Sequence, residues 1–294
     1  MQFSEYARAI RAIPRVISQD TVGATLKLTL PLVSPLGTDI AVARDVKYGN
    51  DPRQRLDVFT PASGFAPSRP VLVFVHGGGF VGGDKQIPGT PFYDNIGQWA
   101  VRNGYNGVTL TYRLAPQHQW PSGVEDLHGV IRFIAEQGAR YGIGANGIFL
   151  MGQSAGASHA ASYVAHPELY APHGHGLRGL ILLSGVYDYT MKPGPMEAAY
   201  LGRDQRLYAQ RSPLAGLLRR DVPLLVTLAE CDPPFFEQQG LALLAALQRK
   251  RGRLPRCVYM LGQNHFSVAQ YLGLDGDLLA PQLRCFIDDH SGRR

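Results

Sequence analysis

Short, mostly apolar, strand-like runs recur along most of this chain: Val71–Val75, Val108–Tyr112, Gly147–Met151, Leu180–Leu183, Leu224–Leu228 and Cys257–Leu261. A strand with one face in water alternates apolar and polar side chains. A strand covered on both faces does not, so these runs predict a parallel sheet sandwiched between helices. The intervening segments carry the helical period. Residues 124–135 place Val124, Leu127, Ile131, Ile134 and Ala135 on one stripe, and Leu241–Leu247 is apolar enough for a packed helix. Ahead of the first run, residues 40–60 read as two short strands, and the Pro- and Ser-rich residues 61–70 as the loop that follows. Residues 4–13 bring Ala7, Ile10 and Ile13 to helical spacing, with Phe3 one turn earlier and Pro14 as the stop. Strand–helix alternation over residues 71–290 predicts an α/β fold: a mostly parallel twisted sheet, helices on both faces, right-handed crossovers.

Composition narrows the function classes. Of 294 residues, 45% are hydrophobic and 18% charged, enough for a sizeable core and too apolar for wholesale disorder. No apolar run approaches the ~20 residues of a membrane span. The net charge is +6, with one local basic cluster at Arg249, Lys250, Arg251, Arg253 and Arg256. No aromatic residues interleave it and no nucleic-acid reading motif holds it, so it reads as a solvated helix end and loop, and no nucleic-acid partner is expected. Three scattered cysteines, Cys231, Cys257 and Cys285, make no disulfide framework and are expected to be reduced. Glu5 stands where a basic n-region would, with no apolar h-region behind it, so a cytoplasmic protein is expected.

The chemistry is carried by Gly152-Gln153-Ser154-Ala155-Gly156, which follows the strand at 147–151 and precedes a run of small residues. G-x-S-x-G between a strand and a helix is the nucleophile-elbow pattern. Ser154 would sit on a sharp turn where side chains two residues before or after it collide with the neighbouring strand and helix. The new helix N-terminus adds positive partial charge beside a developing oxyanion. Upstream, His76-Gly77-Gly78-Gly79-Phe80 leaves the strand at 71–75, and its glycines allow successive N–H groups to turn toward one point. Gly78 and Gly79, joined by Ala155, are the candidate oxyanion donors. His76 reads as a brace for that loop, because the triad order in such folds is serine, acid, histidine. After Ser154, two further strands run into Glu230-Cys231-Asp232 and Asn264-His265. His265 is the candidate base and Asp232 the acid that orients it, with Glu230 as the rival.

Together, His76–Phe80, Tyr112-Arg113-Leu114-Ala115-Pro116, Trp120-Pro121 with Glu125-Asp126, Gly152–Gly156, Asp232 and His265 resemble the hormone-sensitive-lipase-like carboxylesterases, with affinity to bacterial arylformamidase-like esterases. The resemblance implies an α/β-hydrolase fold, with a small N-terminal helical cap at 1–45, a catalytic domain at 46–294 and a reduced cap insertion at about 187–215. It implies a serine esterase that acts through an acyl-enzyme on Ser154 with no metal or organic cofactor. The partner implied is a small-molecule ester, short-chain or aryl; a homodimer is compatible. Thr111 departs from the acidic residue common before the Tyr-Arg motif. The substrate pocket is expected to draw on Phe80, Phe92, Tyr187, Phe235 and Phe266. An amidase or arylformamidase with the same triad, and a non-catalytic ligand receptor on this scaffold, are the other two readings. Four histidines, His159, His166, His173 and His175, lack paired carboxylates at ligand spacing, so no metal is expected.

Overall fold

The computed structural model describes residues 1–145, 147–169, 176–191 and 193–292. Among them runs one eight-stranded sheet: β1 (Ile40–Lys47), β2 (Arg55–Pro61), β3 (Val71–Val75), β4 (Asn106–Leu110), β5 (Ile148–Gln153), β6 (Leu177–Leu183), β7 (Leu224–Cys231) and β8 (Arg256–Asn264). Their order is β1-β2-β4-β3-β5-β6-β7-β8. The pairings of β1 with β2 and of β2 with β4 are antiparallel, and every pairing from β4 to β8 is parallel. The helices are α1 (Phe3–Arg11), α2 (Gln19–Thr29), α3 (Asp94–Arg102), α4 (Ser122–Gln137), α5 (Ala155–Ala165), α6 (Pro195–Leu201), α7 (Tyr208–Arg211), α8 (Pro213–Leu217), α9 (Pro234–Arg251), α10 (Ser267–Gln270) and α11 (Leu279–His290).

Side-chain alternation explains the apolar runs. Val71, Val73 and Val75 enter one core with Leu150, Leu180 and Leu182, under Leu127 of α4, Val164 of α5 and Leu243 of α9. Leu72 and Phe74 enter a second core with Phe149, Met151, Ile181 and Leu183, covered by Trp99 of α3 and Phe286 of α11. Each central strand therefore feeds two cores, which is why apolar residues dominate along it. The run at 257–261 departs from this expectation. As an edge strand, β8 leaves Cys257, Tyr259 and Leu261 exposed, and within this run buries only Val258 and Met260.

The N-terminal residues fold back on the far edge. Tyr6 of α1 packs on Tyr271 with ring centroids 4.4 Å apart and hydrogen-bonds Thr29 Oγ1 at 2.9 Å. In α2, Thr21, Thr25 and Thr29 form a buried stripe at four-residue spacing, and the last two hydroxyls return to the carbonyls four residues back. The cap boundary expected at residue 45 falls inside β1, which begins at Ile40. Within 187–215 the described residues form short helices and turns. No helix among the described residues is long and apolar enough to cross a membrane. In a parallel sheet the C-terminal strand ends share one edge, so the loops after β3, β5, β6, β7 and β8 converge there.

Candidate active site

Ser154 lies between β5 and α5 with φ 56° and ψ −122°, a conformation a non-glycine residue holds only when its surroundings impose it. Its N–H donates to Leu183 O at 2.8 Å, which ties the turn to β6. A Cβ on Gly152 would run into the backbone of Gly156 and Ala157, and one on Gly156 into the carbonyls of Val75 and His76. The two glycines flanking the serine are thus fixed by backbone crowding.

Three strand ends bring the partners to it. His265 Nε2 is 2.8 Å from Ser154 Oγ, and His265 Nδ1 is 2.9 Å from Asp232 Oδ1. With Nδ1–H donating to the carboxylate, Nε2 presents a lone pair that can accept a proton from Ser154 Oγ. Asp232 is fully buried, and its Oδ2 accepts from Ser184 Oγ at 2.6 Å and from the Ala229 amide at 3.0 Å. Gln153 donates to the His265 carbonyl at 2.7 Å, and Phe236 covers the imidazole at 4.0 Å between centroids. Glu230 faces elsewhere. It pairs with Arg11 at 2.9 Å and accepts the Gly262 amide, and Arg11 holds its carboxyl below the usual carboxylate range. A register shift between β7 and β8 at Ala229–Cys231 accompanies this divergence. Arg15 donates to the Asp232 carbonyl at 2.8 Å and pairs with Glu237, while Asn264 donates to Thr25 Oγ1 at 2.8 Å. The N-terminal segment therefore grips both loops that carry the acid and the histidine.

The glycine loop closes on itself: the amides of Val81 and Gly82 donate to Gly78 O at 3.2 and 3.0 Å. Gly78 has φ 131°, and a Cβ there would strike the Gly82 carbonyl. The amides of Gly78, Gly79 and Ala155 donate to no protein acceptor among the described residues. His76 is buried, stacks on Tyr112 at 4.4 Å and approaches Gly77 O at 2.6 Å through Nδ1. Burial lowers its pKa to about 4, which leaves a neutral ring. Arg53 secures the loop's far end through Gly83 O at 2.8 Å. Asp126 accepts from the Arg113 amide, Arg113 Nε and Gln54 Nε2 at 2.7, 2.8 and 2.7 Å, tying the Tyr112-Arg113 segment to α4.

Ser154, Ala155, His265 and Gly77–Gly79 line a cavity of about 420 Å³. Of the aromatics expected in its wall, Phe80 and Phe266 are there. The structure does not bring Phe92, Tyr187 or Phe235 to it. Phe92 is fully buried, Tyr187 lies in the first core with its hydroxyl on the Gly185 amide, and Phe235 packs edge-on against Phe236. Tyr93, Phe236, Val186 and Ile87 take the vacant places, and Ile17, Gln19 and Val22 of the N-terminal segment complete the wall. Of the four histidines weighed as ligands, two are described. His159 is enclosed by Phe80, Tyr112 and Tyr200, with its pKa lowered to about 3 by burial. His166 contacts Glu168 at 3.0 Å; His173 and His175 lie outside the described residues. Among the described residues no group of three or more His, Cys, Asp or Glu side chains is placed to hold a metal.

Sequence reading missed Ser184, Gln153 and Arg15 as supports. Ser184, at φ 49°, ends β6 just as the candidate site residues end β5, β7 and β8, and that position was the available signal.

The BD-FAE family model matches residues 56–168. Esterase LipC of Mycobacterium tuberculosis is 30% identical over 202 residues, 62% of this chain and 49% of that protein. An ethyl acetate hydrolase of Pseudomonas putida is 29% identical over 201 residues, 60% of each. The chain thus spans less than two thirds of either relative. Among solved structures, esterase B from Lactobacillus Rhamnosis superposes with a TM-score of 0.75 at 19% identity, covering 98% of this chain and 96% of that one. The fold is therefore the α/β-hydrolase fold, as the motif resemblance implied.

Proposed function

We propose that this α/β-hydrolase, related in sequence and fold to esterases of the hormone-sensitive-lipase-like type, is a serine hydrolase that cleaves carboxylic esters. The observation that carries the reading is the continuous hydrogen-bonded chain Ser154–His265–Asp232 opening into a cavity beside three unspent amides. In the cycle it supports, Ser154 Oγ attacks the ester carbonyl carbon while its proton passes to His265 Nε2. The carbonyl oxygen gains the negative charge and accepts from the amides of Gly78, Gly79 and Ala155, at the N-terminus of α5. Asp232 stabilises the imidazolium, which gives its proton to the departing alkoxide. Water, deprotonated by His265, then attacks the acyl-enzyme; the C–O bond to Ser154 breaks and the proton returns to Oγ. Residues 1–45 act as a small cap, for which the contacts of Ile17, Gln19 and Val22 with the cavity are the support.

The test pairs turnover with labelling. The protein is expected to hydrolyse p-nitrophenyl acetate faster than an N-formyl aryl amine, and Ser154→Ala is expected to lose at least about 10⁴-fold in kcat. An organophosphonate is expected to label Ser154, located by peptide mass spectrometry. Label on a different serine, or activity retained in the alanine variant, would overturn the assignment. Faster cleavage of the formamide would make the enzyme an amidase.

A further inference from the structure

We propose that Glu197 makes this cavity selective for esters that carry a cationic group, of the ammonium class, in the part of the substrate that fills it. The inference rests on the esterase reading above and adds a recognition element to it. Glu197 lies in the first turn of α6 and is only 6% exposed, yet it lines the same cavity as Ser154 and His265. One of its oxygens serves the backbone, since Oε2 accepts the Gly194 amide at 2.9 Å and caps the helix. Its other oxygen, Oε1, meets no hydrogen-bond donor among the described residues, and no described Lys, Arg or His forms an ion pair with the carboxylate. A buried carboxylate without a counter-charge is costly, and a bound cation relieves that cost.

The surroundings fit the same ligand. No Lys or Arg lines the cavity. Its second carboxylate, Asp84, is half exposed and lies 3.7 Å from Arg53, so Glu197 supplies the uncompensated negative charge. The wall also presents Phe80, Tyr93, Phe236 and Phe266, and aromatic faces attract alkylammonium groups once water is excluded. A capping role alone accounts for a carboxylate or an amide at this position equally well. Glu197→Gln therefore separates the two roles, because glutamine retains the cap and loses the charge.

The experiment uses two isosteric ester pairs that place the cation on either side of the scissile bond. The first is acetylcholine against 3,3-dimethylbutyl acetate. The second is p-nitrophenyl 4-(trimethylammonio)butanoate against p-nitrophenyl 5,5-dimethylhexanoate. In at least one pair, the ratio of kcat/KM for the cationic over the neutral ester is expected to fall by about tenfold or more in Glu197→Gln. Unchanged ratios in both pairs would overturn the proposal. A binding measurement keeps it separate from the esterase reading: calorimetric titration of Ser154→Ala with choline and with 3,3-dimethylbutanol. Choline is expected to bind more tightly, and the preference to vanish when Glu197→Gln is added. If choline binds in this way but no ester is cleaved, the cation site stands and the esterase reading falls. If esters are cleaved and the protein nowhere prefers the cation, the esterase reading stands and this inference falls.

Discussion

The two sides of Ser154 are built by opposite means. On one side, Asp232 and His265 are held by side-chain and amide donors that can be named one by one: Ser184, Ala229 and Gln153. On the other, the loop from His76 to Gly83 owes its shape to missing side chains, since a Cβ on Gly78 has no room beside the Gly82 carbonyl. The first kind of order is a sum of separate bonds and is lost in steps. The second is a steric condition, met or not met, and no conservative replacement restores it.

The largest effect within this comparison is expected at the acid. Asp232→Asn presents an amide donor to His265 Nδ1 and favours the wrong tautomer, so kcat/KM should fall at least about 10²-fold, by analogy with the ~10⁴ seen for the serine-protease equivalent. Glu230→Gln should cost less than about tenfold, because Glu230 binds Arg11 and the Gly262 amide. Both are to be measured on one activated ester with folding checked by circular dichroism; a larger loss at Glu230 would reassign the acid. Next comes Gly78→Ala, with an expected fall of about 10² in kcat, the scale of one lost oxyanion donor. Little change there would show that the loop yields, and the contrast between the two sides would dissolve.

Ser184→Ala follows, with a loss of about tenfold in kcat/KM, the scale of one hydrogen bond to a charged group. Ser184→Cys, which keeps a donor without a branch at Cβ, should recover part of it. Recovery of that kind is the mark of the bonded side. The smallest effect concerns stability. His76 and His159 are buried with pKa values lowered to about 4 and about 3, whereas the unfolded chain protonates them near 6.5. Below that pH the unfolded state binds protons that the folded state refuses, so stability falls as pH drops from about 6.5 toward 4. Each histidine contributes up to roughly 1.4 kcal/mol per pH unit. Urea unfolding at pH 7, 6 and 5 should show a shallower decline in His159→Leu; parallel declines would argue against a neutral His159.

Much of this was legible because a doubly covered sheet writes itself as apolar runs. Val71–Val75 is β3 residue for residue, and Ser154, Asp232 and His265 stand out as polar residues just past such runs. Other elements hid for physical reasons. Helix α3 buries Asp94, Asn95 and Gln98, whose partners are Arg44, the Ala269 carbonyl and the Gly37 amide. Polar residues buried against distant partners erase the helical stripe. The cavity aromatics were misjudged because an aromatic residue near a site element in sequence does not disclose which way its ring points; Tyr187 turned into the core. Glu197 had no motif to announce it, since a glutamate in a first helical turn reads as a cap.

The grip of the N-terminal segment on the loops that carry Asp232 and His265 has a consequence in time. Arg15 must find the Asp232 carbonyl and Thr25 must find Asn264, partners more than two hundred positions along the chain. A ribosome delivers those partners long after α1 and α2, when β3, β4 and β5 are already made. Contacts so distant in sequence close late, since loop closure must precede any gain from them. Helices α1 and α2 therefore dock late, and the cavity is enclosed only after the loops that carry Asp232 and His265 are in place. A freshly made chain would own its sheet before it owned a closed site.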